Sequence, residues 1–274
     1  MYILDHPQVQ RRYNAGMFRG HTFRRRRSLP WVMVVAGICP GVGTLDASQG
    51  QETPQPPPLE LARCVRLIQQ GQYDAASLSL TPMVAAFPSC SRAHLLLGLT
   101  HHKQRHYNDA RPLFARALEL DPNDAPIRMY YGWCLYYLGE SAEARKQFES
   151  FLATSPDYTD AHFALGLLDF DADDLDSATR RFAKAIELSQ KMRKQADEAK
   201  ARARLGDVHV RTGKLTEARR ELERAVELNP DLYAAYFKLS VVLERLGDPK
   251  AAEQARTKHD EVRKRLHPDR GHAE

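Results

Sequence analysis

Cysteine is scarce in this chain, with four in 274 residues, and no two of them stand in a CxxC pair. That removes zinc ribbons and thiol redox motifs, and no other metal-ligand spacing replaces them. Phosphate-binding loops and nucleophile motifs are also missing. The acid-rich stretch from Asp171 to Asp176 lacks the glycine and the closing glutamate of a calcium-binding loop. Alternating β-branched runs do not occur after residue 45, so sheet-based folds drop out and helices must carry the core. No reaction centre emerges, and the expectation is a non-catalytic protein with no cofactor and no bound metal. His102 and His106 have a metal-compatible helical spacing, but His94 and His101 of the same cluster sit where packing explains them.

One sign of charge is missing from the N-terminus. Residues 1–47 hold seven of the forty basic residues, all arginine, against only Asp5 and Asp46. The remaining 227 residues balance at 33 basic and 33 acidic. The net charge of +5 therefore belongs to the leader, which argues against a nucleic-acid surface on the folded part. The leader reads as a basic segment ending in Arg24 to Arg27, an apolar segment from Leu29, and small residues near Ala47. That layout is a secretory signal, with an uncleaved membrane anchor over residues 29–45 as the alternative. Met17 is a second candidate start. The expected location is periplasmic or extracellular, with a membrane-anchored folded domain outside the cytoplasm as the variant. Export would remove Cys39 and leave Cys64, Cys90 and Cys134, of which Cys64 and Cys90 are expected as free thiols.

What the chain has in abundance is repetition. Gly98, Gly132 and Gly166 lie 34 residues apart, and Gly206 follows 40 later. Ala110, Ala144 and Ala178 keep the same step, as do Phe114, Phe148 and Phe182, and Pro88, Pro122 and Pro156 close the units. Glycine inside a helix costs about 1 kcal/mol against alanine, so its recurrence calls for a neighbouring helix too close for a side chain. The pattern of Leu-Gly, then Ala-x3-Phe, then Pro resembles the tetratricopeptide repeat (TPR) family. The resemblance implies an all-α, right-handed α-solenoid of about six stacked helix-turn-helix repeats, each too small to be stable alone.

The expected organisation is a leader over 1–47, a proline-rich linker over 48–58, a solenoid over 59–266, and a tail over 267–274. The repeats fall at about 57–90, 91–124, 125–158, 159–192, 199–232 and 233–266. Two departures carry information. The fourth repeat lacks its closing proline and gains six residues of strong helix formers, which predicts that one or both flanking helices lengthen rather than that a loop forms. The last helix places Arg256 and His259 where earlier repeats are apolar, which predicts a water-facing cap.

In the family, the first helix of each repeat lines a concave groove. By that resemblance the partner-binding side chains are Leu95, Leu99 and His102 of the second repeat. The third repeat gives Met129, Trp133, Tyr136 and Tyr137, from the stretch MYYGWCLYY. The fourth gives Phe163, Leu167 and Phe170, and the fifth Lys200, Arg204, Asp207 and Arg211. Lys200 and Arg204 match two positions of the family's carboxylate clamp, but Met129, Trp133 and Ala164 stand where its other polar residues are needed. The expected function is therefore a protein or peptide scaffold with an apolar, aromatic groove. A membrane-anchored assembly factor or co-chaperone with the same groove is the alternative, and an enzyme with an unrecognised site is the alternative from another class. Packing between successive first helices competes for the same aromatics.

If the leader is a cleaved signal, the exported chain begins between Val42 and Gln49. Intact-mass measurement of periplasmic or extracellular protein checks this. Finding Arg24 to Arg27 retained would count against cleavage.

Overall fold

The computed structural model describes residues 55–268, so the leader, its cleavage region and most of the linker and tail lie outside the described residues. The fold is all-α, of the helical-repeat solenoid class, and the described residues form twelve helices. They divide at Thr154 and Ser155 into two compact units.

The N-terminal unit holds α1 (Pro58–Gln69), α2 (Tyr73–Ala86), α3 (Ser91–Lys103), α4 (Tyr107–Leu120), α5 (Ala125–Tyr137) and α6 (Ser141–Thr154). The C-terminal unit holds α7 (Thr159–Asp171), α8 (Leu175–Lys191), α9 (Gln195–Arg211), α10 (Leu215–Leu228), α11 (Tyr233–Arg245) and α12 (Pro249–Leu266). Within each unit, every helix packs on the next, and successive first helices also touch: α1 on α3 and α3 on α5, then α7 on α9 and α9 on α11. The three cysteines in the described residues are buried free thiols, as expected for Cys64 and Cys90.

The repeating glycines have a clear physical reason. A Cβ on Gly132 would lie 2.6 Å from Phe148 Cε1, and one on Gly166 would lie 2.7 Å from Phe182 Cε1. Each phenylalanine of the second helix therefore lies on bare backbone of the first helix of its own repeat, and Phe114, Phe148 and Phe182 are fully buried. In the fifth repeat Leu222 takes the place of the ring, 2.9 Å from a Cβ on Gly206.

The turn after the first helix needs one residue in the left-handed region. Gly71, Gly139, Gly213 and Gly247 supply it at φ of 74 to 80°. Arg105, Asp173 and Arg193 occupy left-handed backbone as well, at φ 67, 61 and 55°, and there a side chain carries a steric cost. Arg193 stands in the six-residue expansion, between α8 and α9. Those two helices are 17 residues each, against 13 or 14 for α3 to α7, so both flanking helices lengthen as expected.

A second device recurs at the fourth residue of the first helix. His94 Nε2 lies 3.0 Å from the Pro88 carbonyl, and His162 Nε2 lies 2.8 Å from that of Pro156. A carbonyl only accepts, so both rings carry their proton on Nε2. Arg128 donates to the Pro122 carbonyl in the same way. The fifth repeat has no preceding proline, and Arg202 turns instead to two buried carboxylates, Glu198 at 2.8 Å and Glu221 at 2.6 Å. Such a buried cluster is sensitive to loss of either sign of charge.

The C-terminal cap differs in part from expectation. Arg256 is half-buried and paired with Glu244 and Glu253. His259, expected in water, is largely enclosed, with ring centroids 5.6 Å from Tyr233 and 5.7 Å from Phe237. An imidazole beside two aromatic rings gains more from contact than from hydration on one face.

Two substitutions test this account by thermal denaturation. Gly132→Leu forces Phe148 out of its seat and is expected to cost ~1–3 kcal/mol or more, seen as a lower melting temperature. Arg193→Gly relieves left-handed strain and is expected to raise stability by ~0.5–1 kcal/mol, after the extra freedom of the unfolded chain is deducted. Neutral outcomes at both sites would contradict the packing and turn arguments.

Candidate functional site

In the N-terminal unit the aromatic residues of α5 divide by face. Ile127, Met129, Cys134 and Leu135 are buried, and Gly132 sits under Phe148. Cys134 donates to the Tyr107 carbonyl at 3.3 Å, and burial pushes its thiol up to about 12. Tyr130 stacks on Phe114 at 6.2 Å and so belongs to the packing layer. Trp133, Tyr136 and Tyr137 lie on the remaining face. Trp133 and Tyr136 are half-buried, and Tyr137 is exposed at 36%.

These rings form a connected ladder. Trp133 meets Tyr136 edge-on at 5.7 Å and stacks with Tyr137 at 6.1 Å. Tyr137 stacks in turn on Tyr107 at 4.7 Å, with 16° between the planes. Centroids this close leave no cage between the rings, so a ligand would lie on the ladder and not within it. Trp133 also meets Phe148 edge-on at 5.4 Å, so its inner edge helps hold the repeat together. Tyr107 was not among the residues read from the sequence. It opens a second helix, and its one signal was the 34-residue step from Tyr73.

His102 lies inside this group, with ring centroids at 5.2 Å from Tyr107 and 5.8 Å from Tyr137. Burial, with a smaller contribution from the Lys103 charge, pushes its imidazole down to about 3. Leu95 and Leu99 of the same helix are buried at 1% and 4% exposure, and Met129 at 1%. They belong to the packed interior and not to an open groove.

In the C-terminal unit Leu167 is buried, while Phe163 and Phe170 are half-buried. Phe163 packs on Phe182 at 5.8 Å. Arg211 lies over the Phe170 ring at 4.0 Å and donates to the Phe170 carbonyl and to Asp173. Asp207 accepts from Arg204 at 3.3 Å and from Lys238 at 2.5 Å. Lys200 stands near Asp160, whose carboxyl is pushed up first by burial and then by the neighbouring Asp197. The charges of α9 are thus engaged with the unit's own residues.

The state of His102 has a consequence for acid stability. Unfolded, its imidazole titrates near ~6.5, so between that pH and about 3 the unfolded chain binds a proton that the folded chain refuses. Stability therefore falls as pH drops through this window, by up to ~1.4 kcal/mol per unit from this residue alone. His102→Phe is expected to keep the ring contacts and remove that share. Melting temperatures from pH 7 to pH 4 check it: the wild type should lose stability faster than the variant, and parallel curves would contradict a neutral His102 held among the rings.

The tetratricopeptide repeat family model matches residues 65–125, 95–159, 132–197, 163–236 and 203–256. Over 109 residues, 39% of this chain, the sequence is 29% identical to the CTR9 homolog protein of Arabidopsis thaliana, and the match spans 10% of that relative. Among solved structures, the APC/C hetero-tetramer Cut9–Hcn1 is similar with a TM-score of 0.65 at 16% identity, over 77% of this chain and 40% of that one. Pseudomonas aeruginosa PilF is similar with a TM-score of 0.61 at 17% identity, over 77% of this chain and 91% of that one. At such identities the structures speak to the fold alone. The overlapping family matches run from residue 65 to residue 256, the glycine-on-phenylalanine packing recurs beneath them, and the chain belongs to the tetratricopeptide repeat family.

Proposed function

We propose that this protein is a non-catalytic scaffold that holds a protein or peptide partner against the aromatic ladder of α5. The observation that carries the reading is the ladder itself: Trp133, Tyr137 and Tyr107 stack in sequence, Tyr136 meets Trp133 and Tyr137 edge-on, and all four keep part of their surface in water. Large rings already ordered by their neighbours lose little freedom on binding, and half-wet Tyr and Trp are the side chains that anchor interfaces. Family members in general act as protein-interaction scaffolds, and the structurally similar Cut9–Hcn1 is a hetero-tetramer. Leu95, Leu99 and Met129 belong to the packed interior of the N-terminal unit, and Leu167 to that of the C-terminal unit. In the C-terminal unit Arg204, Asp207 and Arg211 are paired and Lys200 lies near Asp160, which gives that unit a polar surface of its own. The balanced charge of residues 48–274 supports a protein partner over nucleic acid.

The proposed setting is outside the cytoplasm, after cleavage of the leader. The 17-residue apolar run from Leu29 to Leu45 favours one variant of this reading, in which the leader stays as an anchor and the folded domain remains at the membrane. No helix among the described residues is long and apolar enough to cross a membrane. Release of the protein by carbonate washing separates the two.

A photo-crosslinker at Tyr137 in cells, with the captured protein identified by mass spectrometry, supplies the partner for measurement. Tyr137→Ala and Trp133→Ala should each weaken its binding by ~2 kcal/mol, about 30-fold. Tyr137→Ala should lower the melting temperature modestly through its lost ring contacts, and Trp133→Ala somewhat more through the lost Phe148 contact, both less than Gly132→Leu. If Trp133→Ala destabilises the fold as severely as Gly132→Leu and neither variant changes affinity, the rings are core and the groove reading fails.

A further inference from the structure

The turn from α3 to α4 gathers side chains that the partner surface does not use. His106 N–H donates to the His101 carbonyl at 2.9 Å, and Arg105 N–H donates to that of His102 at 3.0 Å, with Arg105 in left-handed backbone. This pair of bonds closes α3 and fixes the backbone of His101 relative to that of His106. His106 then caps α4, its carbonyl accepting from Ala110 N–H at 3.0 Å, and Asp109 stands in the first turn of that helix. Three side chains from a rigid turn therefore converge. One ligand atom from each of His101, His106 and Asp109 lies within 4.8 Å of the other two, and the imidazole centroids are 6.2 Å apart.

We propose that His101, His106 and Asp109 bind a divalent late first-row metal ion, with zinc as the best fit. Two imidazoles and a carboxylate form a nitrogen–oxygen set that favours zinc, nickel or copper over magnesium or calcium. Donors at ~2.0–2.2 Å from one ion stand about 3.4 Å apart, so side-chain rotation of about an ångström closes the site without moving the backbone. His106 and Asp109 are exposed, which gives an ion direct entry and leaves a coordination position for water. His101 is half-buried, and its Nδ1 is shielded from water with no hydrogen-bond partner, so no hydrogen bond at that nitrogen fixes the ring against turning. Spacing alone pointed to His102 and His106. The fold instead turns His102 toward Tyr107 and Tyr137 and brings His101 round to His106.

The ion would tie the end of α3 to the start of α4, at a turn already linked to α2 by Gln104 donating to Asp74 at 2.7 Å. His102 and Tyr107 are the immediate chain neighbours of His101 and His106, so metal occupancy stiffens that end of the aromatic ladder. The site itself stands without any reading of the partner.

The test uses untagged full-length protein stripped with a chelator and titrated with zinc alone in equilibrium dialysis. One zinc per chain is expected at this site, with a rise in melting temperature. His106→Ala, at an exposed position, should keep the metal-free melting temperature while weakening zinc binding roughly tenfold or more, the scale on which lost metal-site groups act. Asp109→Asn should weaken it as well, and His259→Ala, in the other unit, should leave it intact. Cobalt substituted into wild-type protein should show visible absorption bands that His106→Ala alters. The proposal is overturned if wild-type protein binds no zinc, or if His106→Ala and Asp109→Asn bind it with unchanged stoichiometry and affinity.

Discussion

A phenylalanine ring resting on bare helix backbone sets the spacing on which the other features of this protein rest. Phe148 comes so near Gly132 that even one added carbon would overlap it, and Phe182 stands to Gly166 in the same way. Two helices held this close bring their small residues, Ala144 and Ala178, to complete burial. The glycine sacrifices helix propensity at each repeat, and the buried ring and dense packing more than offset that loss. Where the ring becomes Leu222 the same contact persists with a smaller group, so shape at that position matters more than aromaticity.

Joining one repeat to the next is a separate problem, solved by a polar contact. His94, Arg128 and His162 each reach back six residues to the carbonyl of a closing proline. The proline ends the second helix, and its carbonyl would otherwise lack an intrahelical donor. Where the fifth repeat lacks that proline, both adjoining helices lengthen and the arginine at the equivalent position is held by Glu198 and Glu221. One position thus serves two different junctions, because an arginine can satisfy either a carbonyl or a pair of carboxylates.

On α5 these constraints leave one face over. Gly132, Met129 and Leu135 are used by packing, and a helix so engaged can still present residues about 100° away to water. Trp133, Tyr136 and Tyr137 fill that arc and order one another through ring contacts. The same turn geometry that closes α3 places His102 against this group and His101 beside His106. Adjacent residues at a helix end thereby serve unrelated surroundings.

The periodic positions were legible in the sequence because they answer to local rules. A helix-breaking proline, a left-handed glycine, and a glycine paired with a phenylalanine sixteen residues later mean the same thing in every copy. The lengthened helices around residue 193 could be read the same way, from propensity and a missing breaker. The roles of particular side chains could not. Leu95, Leu99 and Met129 were read as groove-facing, yet they are almost fully buried, because spacing along a helix gives direction but not how near the next helix lies. Arg211 sits over Phe170 and Asp207 holds Lys238 across 31 residues, and no local pattern announces either pairing. His259 was placed in water by its polarity and lies against Tyr233 and Phe237. Sequence alone determined that this chain is a stack of helical pairs, since each pair obeys short-range steric and capping rules. Tertiary structure decided which aromatics and histidines remain available, since burial depends on distances between helices that only folding sets.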